Sequence, residues 1–464
     1  MVVYQTSANI TCMAETRRLA QVLDLCLRLG ELLLSSGAGA ADVTATMRSV
    51  AHAYGVRTPQ VDVTFTSLAM SAQQGPDEAP LIQIRQVTQR EIDYEDLTHA
   101  DQLVREVVAG RIELKDARAK IARIASSGHA RPRWAAILGS GVSCAGFALM
   151  LGGDALVIAV AFVAAVTIVR LQHAMSRQRM PYFYQQVAGG AIATSLAAVV
   201  TSAFEPLVPV DASLIVTANI IMLLAGIGFM GAIQDALSGF YVTGGARILE
   251  AILATAGIIA GVSGGISLAA AISFELPPLE PARFDLVSLS VAAAGAGIAA
   301  AAFAYGSYAP RRILAPIGLL AAVAMAISQT IDVQDFGRPW ATGLAAFVVG
   351  LVSYTLSGRM HVPPLVIVVP AVVPMLPGLS IYRGLSLLGE AERGFVAGGL
   401  LAMVTAASVA IALAAGVILG EYVAQPVKRE ARRVEGRLAG PRLVGVTRVR
   451  RMRRRVRRGP AEGP

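Results

Sequence analysis

From Trp134 onward the chain is a succession of ten apolar segments, and no other feature constrains the fold as tightly. They lie near 135–151, 155–169, 187–204, 213–233, 248–272, 286–306, 313–331, 340–357, 363–378 and 395–420. About 20 apolar residues cross the hydrocarbon core of a bilayer. In that medium only helices and closed barrels satisfy every backbone polar group. Composition agrees: 55% of residues are hydrophobic, 15% are charged, and mean hydropathy is +0.60. A soluble domain carries roughly 25% charged residues, so an ordinary soluble globule and a disordered chain are excluded. The expected fold class is an α-helical polytopic membrane protein with ten transmembrane segments. Cys12, Cys26 and Cys144 are too few for a disulfide scaffold and lack metal-ligand spacing, so no metal or cofactor is expected.

Residues 1–133 read differently, as a small α+β domain outside the bilayer. No cleavable signal peptide is visible at Met1. Helical spacing predicts helices over 15–36, about 40–54 with Gly55 as its C′ residue, 95–109 and 113–126. Between the second and third, Val61, Val63 and Phe65 alternate with polar residues, and so do Ile82 and Ile84. With Gln73-Gln74-Gly75-Pro76-Asp77 between them, they predict a hairpin, or two strands of one small sheet. Glu91, Asp93, Glu95 and Asp96 beside His99 read as the acidic first turn of a helix, favoured by its dipole. His52, His99 and His129 show no metalloprotease spacing, and no nucleophile elbow or P-loop is present. A membrane-anchored protein with a hydrolase-like N-terminal domain is the alternative from another class.

The membrane part divides at the loop 273–285 into 134–272 and 286–420, each with five spans. Two halves with an odd number of spans lie in opposite orientations if they share a fold. Phe229-Met230-Gly231-Ala-Ile-Gln-Asp235, followed by Gly244-Gly245-Ala-Arg247, leads into one long small-residue helix. Leu376-Pro377-Gly378-Leu-Ser-Ile-Tyr382-Arg383, followed by Glu390-Ala-Glu392-Arg393, leads into another. Inverted repeats meeting at interrupted helices are a recurring transporter plan. Chance likeness of Gly/Ala-rich helices is the competing explanation. The ninth segment carries Pro363, Pro364, Pro370, Pro374 and Pro377 and cannot be a regular helix.

Charge sets the orientation. With the N-terminal domain inside, Arg170, Arg177, Arg179, Arg247, Arg311, Arg312 and Arg359 lie inside, and Arg283, Arg338, Arg383 and Arg393 outside. This bias places both termini in the cytoplasm. The formal net charge is +9, and residues 426–464, with 14 Lys+Arg against 3 Asp+Glu, supply all of it. That segment, dense in arginine from Arg448 to Arg458, reads as a disordered cytoplasmic tail that fixes topology and can meet anionic lipid. No aromatic residue interleaves with the arginines, so nucleic acid is not expected as a partner.

These features resemble the threonine/serine exporter family of bacteria over nearly the whole chain. The likeness is carried by Gly30-Glu31-Leu32-Leu33-Leu34-Ser35-Ser36-Gly37-Ala38 with Val43, Thr46 and Met47. It continues in Asp235-Ala-Leu-Ser238-Gly239-Phe-Tyr241 with Gly245-Ala-Arg247 and Glu250, and in Val362-Pro363-Pro364 through Pro374-Met-Leu-Pro377-Gly378. Phe229-Met230-Gly231 departs from the Pro-Gly pair common in relatives, which implies a milder break there. The basic tail is not a family feature. The resemblance implies a bacterial inner-membrane exporter of threonine, serine or a similar small polar metabolite, driven by the proton gradient. Some relatives handle dicarboxylates, so a succinate-like substrate is the alternative. A homo-oligomer is compatible with all of this.

The candidate transport residues are Asp235, Arg247, Glu250, Gly231, Pro370, Pro374, Pro377 and Gly378. An ionisable residue at membrane depth is costly and usually functional, whereas Asp235 in an interfacial loop would be an ordinary solvated carboxylate. Arg247 has two readings: pairing with Glu250 three residues on, or meeting Asp235 or a substrate carboxylate. Gln185 and Gln186 read as flanks of an aromatic belt with Tyr182 and Tyr184. His361 is a weak candidate for a proton shuttle. The two breaks are expected to face each other across the substrate site.

Overall fold

The computed structural model describes residues 2–73, 78–87, 92–204, 211–223, 226–271, 286–332, 337–389 and 393–438. The loop 273–285 with Arg283, the residues Gln74–Asp77, Glu91, and the arginine run from Arg448 to Arg458 lie outside them. Met1–Ala424 form one compact unit, and Gln425–Pro464 a second, described as helix to Leu438.

The N-terminal region is built on α1 (Val2–Ser35), which begins well before residue 15, where sequence periodicity placed its start. Leu19, Leu23, Cys26, Leu29 and Leu33 form its buried stripe. They pack on Val43, Met47 and Val50 of α2 (Ala40–Ala53) and on Leu68 and Met70 of the sheet. Gly55 ends α2 with φ +92°, a conformation that only glycine adopts without strain. A Cβ on Gly30 would lie 2.6 Å from the Met47 sulfur, so α1 approaches α2 closely there. Helices α3 (Tyr94–Val108) and α4 (Leu114–Ser126) close the core with Leu97, Leu103 and Ile121. The Asp93 side chain accepts from the Glu95 and Asp96 N–H groups, which accounts for the acidic cluster as a helix cap.

The two expected strands do belong to one small sheet; they are not paired directly as a hairpin but flank a third strand in an antiparallel meander of β1 (Gln60–Val63), β2 (Ser67–Ala72) and β3 (Leu81–Gln86). In β3 the facing is the reverse of what the alternation suggests. Ile82 and Ile84 are 60% and 69% exposed. Gln83 and Arg85 turn inward, donating to the Ala20 carbonyl and to Glu31. The register decides this: Arg85 pairs with Leu68 and Gln83 with Met70, so they share the face that covers α1.

From Arg133 the chain is helical: α5 (Arg133–Met150), α6 (Ala155–Arg177), α7 (Tyr182–Phe204), α8 (Ala212–Leu223), α9 (Gly226–Leu237), α10 (Tyr241–Ala271), α11 (Leu286–Gly306), α12 (Leu314–Asp332), α13 (Arg338–Met360), α14 (Leu365–Val372), α15 (Gly378–Gly389) and α16 (Arg393–Leu438). Among the described residues nine helices are long and apolar enough to cross a membrane, α8 and α9 counting together. The pair Leu365–Met375 and Gly378–Gly384, bent by 48°, makes up to ten. The second span is a 23-residue helix, longer than the apolar run 155–169.

Close glycine contacts fix the relative directions of these helices. A Cβ on Gly261 would run into the Val187 carbonyl, and one on Gly265 into Thr194, so α7 and α10 run parallel. On α13 and α16, Gly343 meets Ala412 and Gly350 meets Val417, again parallel. By contrast, α5 and α11 run antiparallel. A Cβ on Gly139 would lie 3.0 Å from the Gly306 nitrogen, and one on Gly146 2.6 Å from that of Ala299. Without a hydrophobic drive between helices in lipid, small residues that let backbones approach are the main source of association.

These contacts predict opposite effects for two glycines one turn apart. Gly261→Leu should destabilise the purified protein by roughly 1–3 kcal/mol or more through overpacking. Gly264, with open space around its Cβ position, should accept alanine with a gain of about 0.5–1 kcal/mol. Thermal unfolding in detergent distinguishes them.

Candidate functional site

Two constellations stand out, one at an end of the bundle and one within it. The first is built around Asp235. It sits in α9, inside the fourth span and 1% exposed, so the solvated-loop alternative does not hold. Its Oδ1 accepts from the Ala40 N–H at 2.8 Å. Its Oδ2 lies 2.8 Å from Nη1 of Arg247.

Ala40 opens α2, whose preceding residue Gly39 has no side chain with which to cap it. A carboxylate from a span 195 residues away therefore takes the place of the local cap. A Cβ on Gly39 would lie 3.3 Å from that carboxylate, and one on Gly231 3.2 Å from the Arg247 guanidinium. Both glycines leave room for the pair. Arg247 also donates to the Ala38 carbonyl at 3.3 Å, and Thr243 to the Val63 carbonyl at 3.1 Å.

Arg247 thus pairs with Asp235 rather than with Glu250, which is exposed and does not join the group. Asp42, in the first turn of α2, is within electrostatic reach of Asp235 and of Glu421 on α16. It keeps exposed surface, yet enough protein surrounds it that desolvation, ahead of the Asp235 charge, pushes its carboxyl up.

The N-terminal domain has a second attachment, at the end of α11. The Tyr94 N–H donates to the Ser307 carbonyl at 2.9 Å. Arg131 donates to the Tyr305 carbonyl and, at 2.9 Å, to that of Ala309. Its guanidinium lies 3.9 Å from the centre of the Tyr305 ring. His129 stacks on Tyr308 and bonds Asp93. Nearby, desolvation and then the Asp93 charge raise the Asp96 carboxyl to about 6.

The second constellation is the proline segment. Pro370 lies inside α14, Val373–Met375 form a 3-10 turn, and Leu376 is extended with ψ 142° before α15 begins at Gly378. Pro370, Pro374, Pro377 and Gly378 are all buried. Pro370 and Pro374 have no N–H to return to the Val366 and Pro370 carbonyls. In the first half α8 and α9 count together as one span, Ala212–Leu237, of which residues 224–225 lie outside the described residues. The stretch Gly226–Gly231, expected to be the break, is helical. Val369, Val373 and Tyr382 share a core cluster with Ile215, Val216 and Leu223 of α8. Phe229 of α9 shares another with Ile381 of α15. The bent pair α14–α15 therefore meets α8 and α9.

Sequence reasoning missed several residues. Thr243 has no distinctive spacing. Gly39 carried a readable signal, because a helix starting after Gly-Ala-Gly without a capping side chain needs an acceptor from elsewhere. Gln186 is 2% exposed rather than part of a polar flank. Asn219 is the lone amide in α8. It donates to the Ile215 carbonyl at 2.9 Å, while its Oδ1 has no partner among the described residues. His361 is an exposed left-handed cap with φ 55° that ends α13. Among the described residues no three His, Cys, Asp or Glu side chains converge to hold a metal.

Two predictions follow from these contacts. Arg247→Ala leaves a buried carboxylate uncompensated and should destabilise by roughly 3–5 kcal/mol, and pairing it with Asp235→Asn, which removes the charge but keeps an acceptor for the Ala40 N–H, should recover most of the loss. Thermal unfolding of the single and double variants checks this. For Asp96, the folded value of about 6 lies above the unfolded 3.8. Its contribution to stability therefore falls as pH rises from about 4 to 6 and is level above that. Asp96→Asn should gain about 1 kcal/mol at pH 7, after allowance for screening, and nothing below pH 4. A pH series of unfolding temperatures checks it.

Comparison with known proteins gives a consistent answer. A threonine/serine exporter family model matches residues 24–269. A second, described as "Threonine/Serine exporter, ThrE", matches residues 292–423. The "Probable threonine/serine exporter" of Mycobacterium tuberculosis is 34% identical over 431 residues, covering 91% of this chain and 80% of the relative. The "Threonine/serine exporter" of Corynebacterium glutamicum is 33% identical over 420 residues, covering 89% and 85%. No solved structure matches. The two family matches cover both the region around Asp235 and the proline segment, and the chain belongs to the threonine/serine exporter family.

Proposed function

We propose that this protein exports threonine, serine or a similar small polar metabolite across the cell membrane as a secondary transporter. The observation that carries the reading is the family match across both parts of the chain, together with the bent, proline-rich pair α14–α15. The relatives' printed names supply the substrate class. As members of a transporter family, the chain's residues bind and move a solute rather than transform it.

The helix directions support two inverted halves of five spans. In each half the third and fifth spans (α7 with α10, α13 with α16) run parallel and touch through glycines. The first spans, α5 and α11, run antiparallel to each other, as an in-plane pseudo-two-fold axis requires. Because α13 and α16 are parallel, the chain between them must return across the bundle. The bent α14–α15 pair is then the ninth of ten crossings. An even number of crossings puts Arg133 and Ala424 on one side, and the arginine bias makes that side the cytoplasm.

The substrate site lies at the proline interruption, where the segment with Pro370, Pro374, Pro377 and Gly378 packs against α8 and α9. A substrate ammonium or hydroxyl can occupy carbonyls that proline leaves without helical partners. The start of α15 offers N–H groups and a partial positive charge to a carboxylate. One interrupted element thus meets both ends of a zwitterion. Gly231, Asp235 and Arg247 belong to the cytoplasmic end of this path. Protons are the coupling ion in this reading.

Labelled threonine, serine and succinate efflux from cells with and without the protein tests the reading. Threonine and serine efflux should depend on the protein and collapse with an uncoupler. Efflux of succinate alone would replace the amino-acid assignment. Gly378→Leu should fill the site and abolish efflux at normal abundance, and Pro377→Ala should weaken it. Wild-type rates for Gly378→Leu would move the site elsewhere.

A further inference from the structure

We propose that the N-terminal domain is the inner gate of the transport path, and that the Asp235–Arg247 pair with Thr243 is the latch that holds it shut. The proposal rests on the transport reading above and adds a role for the domain and for the buried pair. Its first support is position. The domain is fastened to the first half through α9 and α10, and to the second through residues 305–309. Helix α3 also touches α14, where the proline segment begins. A body tied to both halves beside α9 and the proline segment covers the space between them. It also opposes any movement of one half against the other. If the halves rock to expose the site to each side in turn, one of the two attachments must open.

The contacts differ in a way that says which one opens. The attachment at 305–309 involves His129 and Arg131, two to four residues before α5 in the chain. It combines two carbonyl contacts with ring stacking and a cation over an aromatic face. It is tethered covalently and serves as the hinge. The attachment at Asp235 is remote in sequence and polar: the Ala40 N–H on Asp235, Arg247 on the Ala38 carbonyl and Thr243 on the Val63 carbonyl. The net stabilisation from each such hydrogen bond is small, because water replaces it on opening. Such a contact can separate and rehydrate, where an apolar seam of the same size would not. The charge balance points the same way. Asp42, in the first turn of α2, lies within electrostatic reach of Asp235, so repulsion between the two carboxylates lowers the cost of opening.

The test reads access to the path and needs no substrate. Ser380→Cys, just beyond the proline break, serves as a reporter, with Cys12 and Cys26 replaced by alanine. A membrane-impermeant maleimide is added to the cytoplasmic face of inside-out vesicles. Native Cys144, 0% exposed in α5, remains as an internal report on unfolding of the bundle. Thr243→Val and Arg247→Ala should each raise labelling of the reporter at least tenfold, with Cys144 still protected. Arg247→Lys, which keeps the charge, should fall between these and wild type. Reporter rates unchanged in Thr243→Val and Arg247→Ala would overturn the proposal. So would a parallel rise at Cys144, which would make the pair a purely structural tie. Because labelling is independent of export, a protein that moves none of the tested solutes still reports on the latch.

Discussion

The rest of the structure depends on one constraint: backbone N–H and C=O groups in an apolar medium must find partners within the protein. Uninterrupted helices meet it without help, which is why most spans need nothing beyond small-residue contacts. Where a helix is broken, at Val373–Pro377, the freed groups are tolerable only when other protein or a polar solute covers them. The broken pair α14–α15 lies against α8, α9 and α10, within the bundle. The same constraint explains the junction with the N-terminal domain. The uncapped start of α2 is buried against α9, and a carboxylate from the span supplies the missing acceptor.

That junction gives the buried pair a meaning different from a simple charge in a membrane. An aspartate at membrane depth is normally read as a substrate or proton site. Here its oxygens already face an arginine and a helix N-terminus from another part of the chain. The group is therefore engaged in the conformation described. In the proposed reading the solute site is left to the proline segment, whose groups come from the backbone, and that division suits an amino acid, because ammonium and carboxylate are recognised well by carbonyls and by helix N-termini.

Helix association shows a related economy. The parallel pairs α7–α10 and α13–α16 meet through glycines such as Gly261 and Gly350. The antiparallel pair α5–α11 meets through Gly139, Gly146 and Gly295, with the Ser143 hydroxyl donating to the Ala299 carbonyl at 3.0 Å. Contacts of this kind depend on exact approach rather than on buried area. A single added side chain is costly in one place, and at Gly264, one turn away, it has open space.

The sequence by itself determined the elements. The 3.6-residue stripe of Leu19, Leu23 and Cys26, the ten apolar runs, the proline cluster and the acidic start of the helix near Asp93 are local properties that period and composition express directly. It also singled out Asp235 and Arg247, because charge is conspicuous in an apolar stretch. Only the tertiary structure decided what those residues meet. The partner of Asp235 is a backbone N–H 195 residues away, and Arg247 had Glu250 as an equally good local choice. Ile82 and Ile84 face outward because the register puts Arg85 opposite Leu68, and alternation alone cannot say which face is covered. Periodicity measures a residue against its neighbours in the chain, whereas pairing across the fold depends on the distances that packing sets.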